Sequence, residues 1–213
     1  MPRAVLWDLD GTLADSREAH WRSWCEALAA QGIRITKNDF LSTFGQRNDA
    51  ILEQWIGPDI TAEFIRAIGD AKEESYRAII KAEGLTPLPG AAEWVRALHA
   101  EGWRQAIASS APRLNVEVMR GALGLAQLIE TYVGAEDVKR GKPDPEVFLA
   151  AADALEVPAK RCIVVEDAEV GVEAAHRAGM RCIGVGDGSL DQAEVTVNSL
   201  ADLREWAFRD LLS

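Results

Sequence analysis

The sequence predicts an α/β fold, a parallel sheet covered by helices on both faces, with an all-helical segment inserted into it. From residue 90 onward, short apolar runs alternate with helical patterns, which is typical of parallel strands joined by helices. Residues 16–83 show only helical spacing, without a candidate strand. Another apolar run, at residues 4–7, precedes that segment, so the insertion separates the first strand from the rest of its sheet.

The predicted domain division follows from this pattern. Residues 1–15 and 84–213 form the α/β core, and residues 16–83 form the helical insertion. The turn-rich stretch Thr86-Pro87-Leu88-Pro89-Gly90 marks the return to the core, with Pro89 and Gly90 as the hinge.

Helices in the insertion are predicted from apolar residues at helical spacing and from residues that begin or end helices. In chain order the signals are Trp21, Trp24, Cys25 and Leu28 on one helical face, Thr36 and Asp39 at a helix start, Gly45 and Gly57 around a third helix, and Thr61 and Gly84 at the ends of a long one.

Four further strands are predicted in the core, at residues 105–109, 131–134, 162–166 and 181–185. The helices predicted between them include one through Val116 and Met119, one through Val147 and Leu149, and one through Val172 and Ala175. The glycine-rich stretch 184–188 does not have the spacing of a dinucleotide-binding loop, so we expect a loop at the edge of the sheet.

Composition limits the possible partners. The 213 residues carry a net charge of -11, which argues against nucleic acid or an anionic membrane as a partner. Three cysteines without CxxC spacing favour reduced, buried thiols in a cytoplasmic protein. Neither a signal peptide nor an apolar run of transmembrane length is evident. We expect a monomer.

Polar side chains stand where the predicted strands end. Asp8 and Asp10 follow the first strand and would point to the same side, about 7 Å apart, where their like charges need a nearby cation. Ser109-Ser110 follows the second strand, Lys142 comes after the third, and Glu166-Asp167 ends the fourth. Because ligands bind beyond the carboxyl ends of parallel strands, we expect these groups to converge on one site.

The residue types suit phosphoryl transfer. Asp8 is the candidate nucleophile, and Asp10 is the candidate acid and base. Carboxylates of Asp8 and Asp167 with a backbone carbonyl would suit Mg²⁺. Ser109 and nearby amides would hold phosphoryl oxygens, and Lys142 would neutralise charge. Each motif alone also has an ordinary explanation as a turn, a helix cap or a solvated side chain; four in order at four strand ends favour a site.

The ordered set Asp8-Leu9-Asp10-Gly11-Thr12, Ser109, Lys142-Pro143 and Glu166-Asp167 resembles the haloacid dehalogenase superfamily, in the branch of phosphatases and phosphomutases with a helical cap after the first strand. The resemblance implies a Rossmann-like, doubly wound core and phosphorylation of Asp8. It also implies Mg²⁺ held by Asp8, the Asp10 carbonyl and Asp167, with Glu166 in support. Members that dehalogenate lack the second aspartate and the metal, so Asp10 and Glu166-Asp167 argue against dehalogenation.

The cap is expected to choose the substrate. His20, Arg47 and Lys72 match positions that approach the active site in relatives acting on sugar phosphates. Lys72 also shares a helical face with apolar residues, where a charge needs a reason, although an ammonium extending to water would explain it equally well. His20 could be only a surface residue, while Arg47, in a predicted loop, suits a substrate clamp.

Two enzymatic functions stay open at this point. The favoured one is a Mg²⁺-dependent phosphatase for small metabolites of the sugar phosphate or phosphoglycolate type. The second is a β-phosphoglucomutase-like phosphomutase. Mutases of this group follow the serine with further polar residues, whereas Ala111-Pro112 follows Ser110 here and leaves Arg113 to hold a second phosphate. A third reading, a silent phosphate-binding domain, is disfavoured by the intact catalytic set.

Overall fold

The computed structural model describes residues 2–186 and 190–213. The chain divides into two compact units. One joins Met1–Asp15 to Thr86–Ser213, and the other is Ser16–Leu85. Part of the glycine-rich stretch 184–188, predicted to be an edge loop, lies outside the described residues.

The unit Ser16–Leu85, described throughout its length, is helical. Its elements are α1 (Arg17–Ala29), α2 (Lys37–Thr43), α3 (Asn48–Ile56) and α4 (Ala62–Glu83). The predicted start at Thr36 is confirmed as a capping box, because Asp39 N–H donates to Thr36 Oγ1 (3.2 Å) and Thr36 N–H donates to Asp39 Oδ2 (2.8 Å). Thr61 caps α4 by accepting from Phe64 N–H at 3.1 Å.

The helical unit has a hydrophobic core of its own. Its buried residues are Trp24, Ala27, Leu28, Phe40, Ile51, Leu52 and Ile68. Aromatic rings meet edge to face in it, as between Trp24 and Trp55, whose centroids are 5.1 Å apart.

The other unit contains a parallel sheet, which confirms the predicted α/β fold. Within the described residues its strands are β1 (Ala4–Trp7), β2 (Arg104–Ala108), β3 (Thr131–Val133), β4 (Cys162–Glu166), β5 (Arg181–Val185) and β6 (Val195–Val197). Their order across the sheet is β3-β2-β1-β4-β5-β6, and all neighbours are parallel. The sequence did not predict β6, since three residues give too short a pattern.

Helices cover this sheet. They are α5 (Ala91–Ala100), α6 (Arg113–Ala122), α7 (Glu146–Ala154), α8 (Glu169–Arg177) and the short α9 (Ala207–Asp210). Because strand side chains alternate, β1 contributes to both faces. Leu6 belongs to the core cluster that contains Phe148, whereas the Trp7 ring lies 6.0 Å from Phe208 and donates Nε1–H to Gln105 Oε1 at 2.9 Å. In the described ranges, no helix has both the length and the apolar character that crossing a bilayer requires.

Candidate active site

Asp8 lies at the centre of the sheet's carboxyl edge. β1 is the strand between β2 and β4, and Trp7 is in register with Ile107 on one side and Val165 on the other. Asp8 N–H continues the ladder by donating to Val165 O at 2.9 Å. The backbone of Asp8 is therefore fixed by the sheet, while its side chain projects past the strand end.

Lys142 joins two carboxylates at this edge. Its Nζ lies 2.5 Å from Asp8 Oδ1 and 2.6 Å from Glu166 Oε1. The three side chains are 6%, 10% and 1% exposed, so these are buried ion pairs in which each charge depends on its partners. Lys142 reaches the edge from the loop between β3 and α7, and its ammonium also lies 5.0 Å from the Phe148 ring centroid.

Glu166 is fully engaged by the protein. While Oε1 accepts from Lys142, Oε2 accepts from the backbone N–H groups of Asp167 and Ala168, both at 2.8 Å. Gly171 makes room for this arrangement, because a Cβ there would lie 1.9 Å from Glu166 Oε1. Glu166 therefore orients Lys142 and the chain after β4. Gly171 was not predicted from sequence, where its only signal is a glycine near the start of a helix.

Asp167 is held against the turn that follows β1. Gly11 has a φ of +92°, and a Cβ on it would come within 1.9 Å of Asp167 Oδ2. Only glycine suits this position, both for its backbone conformation and for the close approach of a carboxylate. Gly11 N–H donates to Ala14 O at 2.8 Å and closes the turn that carries the half-buried Asp10.

The neighbouring Thr12 is the last residue of the motif that begins at Asp8. It is fully buried, and its Oγ1 has no hydrogen-bond partner among the described residues.

Burial sets the electrostatics of this cluster. It raises the pKa of Asp8 well above its usual value; Lys142 opposes the change, and the charges of Glu166 and Asp167 add to it. Burial and the charge of Glu166 raise the pKa of Asp167 to about 7. Burial disfavours the charged form of Lys142, but Asp8 and Glu166 raise its pKa above the usual value. Lys142 is thus a single positive charge among three carboxylates, so the cluster favours binding of a further cation.

The donor set fits a divalent metal ion. One carboxylate oxygen from each of Asp8, Glu166 and Asp167 lies within 4.8 Å of the others. Mg²⁺ prefers such oxygen ligands, and it needs only a few of them from the protein because it keeps several waters. Since both oxygens of Glu166 already accept hydrogen bonds, Asp8 and Asp167 are the better candidates for direct ligands.

Ser109 lies next to this cluster by register. It follows β2, its N–H donates to Val133 O at 3.0 Å, and its Oγ accepts from Ala111 N–H at 3.0 Å. Ser109 is buried, and Ser110 is half-buried. Ser109 and Ser110 thus lie beyond the carboxyl end of β2, the strand next to β1.

Arg113, the predicted second-phosphate contact, is bound elsewhere. Its Nη1 lies 2.6 Å from both carboxylate oxygens of Asp137, and its guanidinium stacks 4.9 Å from the Tyr132 ring centroid.

The predicted substrate residues of the cap lie in the helical unit. The His20 ring stacks on Tyr76 at 4.1 Å. Lys72 is buried, and its Nζ donates to Glu73 Oε1 at 2.8 Å, so its ammonium does not extend into water. Arg47 precedes α3 and is exposed, 3.5 Å from Asp49.

Comparison with known proteins identifies the family. The model of the haloacid dehalogenase-like hydrolase family matches residues 2–179. Validoxylamine A 7'-phosphate phosphatase of Streptomyces hygroscopicus subsp. limoneus is 30% identical, covering 96% of this chain and 97% of that protein. SUPPRESSOR OF QUENCHING 1 of Arabidopsis thaliana is 34% identical over 85% of this chain, which spans only 18% of that longer protein.

A solved structure shows the same fold. CbbY of Rhodobacter sphaeroides, in complex with xylulose-(1,5)bisphosphate, superposes with a TM-score of 0.85 at 28% identity, covering 95% of this chain and 96% of that one. The matched family model spans most of the chain. The chain belongs to the haloacid dehalogenase-like hydrolases, as an enzyme of the branch that contains the phosphatases.

Proposed function

We propose that the protein is a Mg²⁺-dependent phosphatase that hydrolyses small phosphorylated metabolites of the sugar phosphate or phosphoglycolate type through an aspartyl phosphate on Asp8. The observation that carries this proposal is the buried cluster in which Lys142 bridges Asp8 and Glu166 beside Asp167. One relative is named validoxylamine A 7'-phosphate phosphatase, and a solved neighbour is in complex with xylulose-(1,5)bisphosphate.

The metal site is proposed on Asp8, Asp167 and the backbone carbonyl of Asp10. When bound there, Mg²⁺ would supply the positive charge that lets an anionic carboxylate approach an anionic phosphate. Glu166 supports the site through Lys142 and through the backbone amides of residues 167 and 168.

The residues suit a two-step reaction. Asp8 attacks phosphorus, an oxygen–phosphorus bond forms, and the bond to the leaving oxygen breaks as Asp10 gives that oxygen a proton. Asp10 then takes a proton from water, whose oxygen attacks the acyl phosphate and releases inorganic phosphate with regeneration of Asp8. Ser109 and Lys142 hold the charged phosphoryl oxygens during both steps.

We propose that residues 16–83 act as a cap that selects the substrate through His20, Arg47 and Lys72. The helical unit has its own core, so its surface can differ between relatives without disturbing the catalytic edge. We further propose that the protein acts as a cytoplasmic monomer, consistent with three free cysteines, of which Cys162 and Cys182 are buried.

Phosphate release from a panel of sugar phosphates, phosphoglycolate and nucleoside monophosphates tests the proposal. Asp8→Asn should abolish turnover, because an amide is a poor nucleophile, while the protein stays folded by circular dichroism. Removal of divalent metal should do the same reversibly. Turnover that survives in Asp8→Asn would refute the aspartyl phosphate.

The mutase alternative is tested in parallel. β-Glucose 1-phosphate with a bisphosphate activator would then yield glucose 6-phosphate faster than free phosphate. We expect free phosphate only, because Arg113 is already held by both oxygens of Asp137.

A further inference from the structure

Two loops at the carboxyl edge of the sheet are hydrogen-bonded to each other next to Ser109. The Ser109 loop, residues 109–112, joins β2 to α6, and the acidic turn, residues 134–137, follows β3. Ala135 N–H donates to Ala111 O at 2.9 Å, and Ser109 N–H donates to Val133 O at 3.0 Å. Gly134 permits this approach, since a Cβ there would meet Ala111 O at 3.0 Å.

An ion pair between Arg113 and Asp137 also joins these two segments. Asp137 receives Arg113 Nη1 at 2.6 Å on both oxygens, and its Oδ2 also accepts from Gly134 N–H at 2.9 Å. Arg113 is the first residue of α6, where a backbone N–H lacks a partner within the helix. Glu136 Oε2 accepts that N–H at 2.8 Å. The acidic turn therefore binds both the main chain and the side chain of Arg113.

The charges on the acidic turn need a reason. Carboxylates near an anion-binding site weaken anion binding by like-charge repulsion, unless they are neutralised or hold part of the site in position. Asp137 is neutralised by Arg113, and in chain order both residues come between the two groups that would hold phosphate. Ser109 lies four residues before Arg113, and Lys142 lies five residues after Asp137.

We propose that Arg113 and Asp137 are positioning residues. They hold the Ser109 loop, and with it the phosphate-binding site, in place, and they are not contacts for a second phosphate. The inference rests on the proposed function, because it assigns the pair an effect on phosphate held by Ser109. It also gives Arg113 a role that the sequence did not indicate.

A matched control exists at the opposite ends of the same two strands, β2 and β3. Arg104 begins β2 and contacts Glu130, just before β3, through Nε at 2.9 Å and Nη2 at 2.6 Å. The pair resembles Arg113–Asp137 in type and in exposure but lies at the amino ends of the strands. Glu130→Gln should therefore report the structural cost of losing such a pair without an effect on phosphate.

The experiment measures the dissociation constant of inorganic phosphate with Mg²⁺ by calorimetry, and KM and kcat for the best substrate. Asp137→Asn should weaken phosphate binding about tenfold and raise KM in parallel, since small displacements of a binding group are costly. Glu130→Gln should change both by less than about twofold. Arg113→Lys, which keeps the charge but loses the paired contact, should fall between wild type and Asp137→Asn.

A double-mutant cycle with Ser109→Ala decides whether Asp137 acts through the Ser109 loop. In the Ser109→Ala background, Asp137→Asn should add less than about threefold, because the group that it positions is gone. A full tenfold addition, an unchanged dissociation constant in folded Asp137→Asn and Arg113→Lys, or an equal effect of Glu130→Gln would each overturn the inference. A wild-type protein that neither binds phosphate nor hydrolyses esters would instead overturn the proposed function, and the inference with it.

Discussion

Replacing Gly171 by alanine should destabilise the protein, although alanine is the better helix former. A Cβ at this position would lie 1.9 Å from Glu166 Oε1 and 2.0 Å from Glu166 Cδ. The Glu166 carboxylate must then move away from Lys142 or from the amides of residues 167 and 168, which it meets at 2.6–2.8 Å.

The magnitude follows from two opposing effects. Alanine in a helix is favoured over glycine by about 1 kcal/mol. Breaking a buried, hydrogen-bonded ion pair costs roughly 3–5 kcal/mol, because a charge is left without its partner. The expected net loss is about 2–4 kcal/mol of unfolding free energy, or a fall of roughly 4–16 °C in Tm for a chain of this size.

Thermal and urea unfolding measure this change against Gly121→Ala. Gly121 lies in α6, and a Cβ there would meet no atom within 4 Å. This control should raise the unfolding free energy by about 0.5–1 kcal/mol. If Gly171→Ala stabilises the protein as Gly121→Ala does, the account of Glu166 as a tightly confined carboxylate is wrong.

Three further outcomes are expected. Because burial raises the pKa of Asp167 to about 7, above its unfolded value, metal-free protein should lose stability as pH rises from about 4 to 7, and Asp167→Asn should flatten that loss in thermal unfolding. An unchanged pH profile in the variant would contradict this. Lys142→Met should cost roughly 3–5 kcal/mol in urea unfolding and abolish turnover, since Asp8 and Glu166 lose their shared cation; a variant as stable as wild type would count against the buried pairs. Thr12→Val should be neutral or stabilising by about 1 kcal/mol, because the buried hydroxyl has no hydrogen-bond partner within the described residues. A loss above that size would show that the hydroxyl is bonded.

Much of the fold could be predicted because its signals are local. The buried run of β1 and the cap at Thr36 depend on residues close together in sequence, and the structure has both. β6 was missed because its three residues, Val195–Val197, carry too little pattern and are selected by pairing with β5.

The side chains at the carboxyl edge of the sheet could be named from sequence because parallel strands end together. Glu166 is the last residue of β4, and Asp8, Lys142 and Asp167 stand beyond strand ends; the topology brings these positions to one edge. The sequence did not indicate which of these carboxylates is held by hydrogen bonds from the protein. The hydrogen bonds that occupy both oxygens of Glu166 depend on its packing against Gly171 and on Lys142, 24 residues away in the chain.

Sequence alone determined the α/β class, the residues at the strand ends and the resemblance to a hydrolase family, because these depend on residue type, order and spacing. Tertiary structure decided which charges pair. It buried Lys142 between Asp8 and Glu166, placed Gly11 against Asp167, and bound Arg113 to Asp137. These contacts join segments distant in the chain, and their strength depends on burial and on distances of a few ångströms, which spacing along a sequence does not specify.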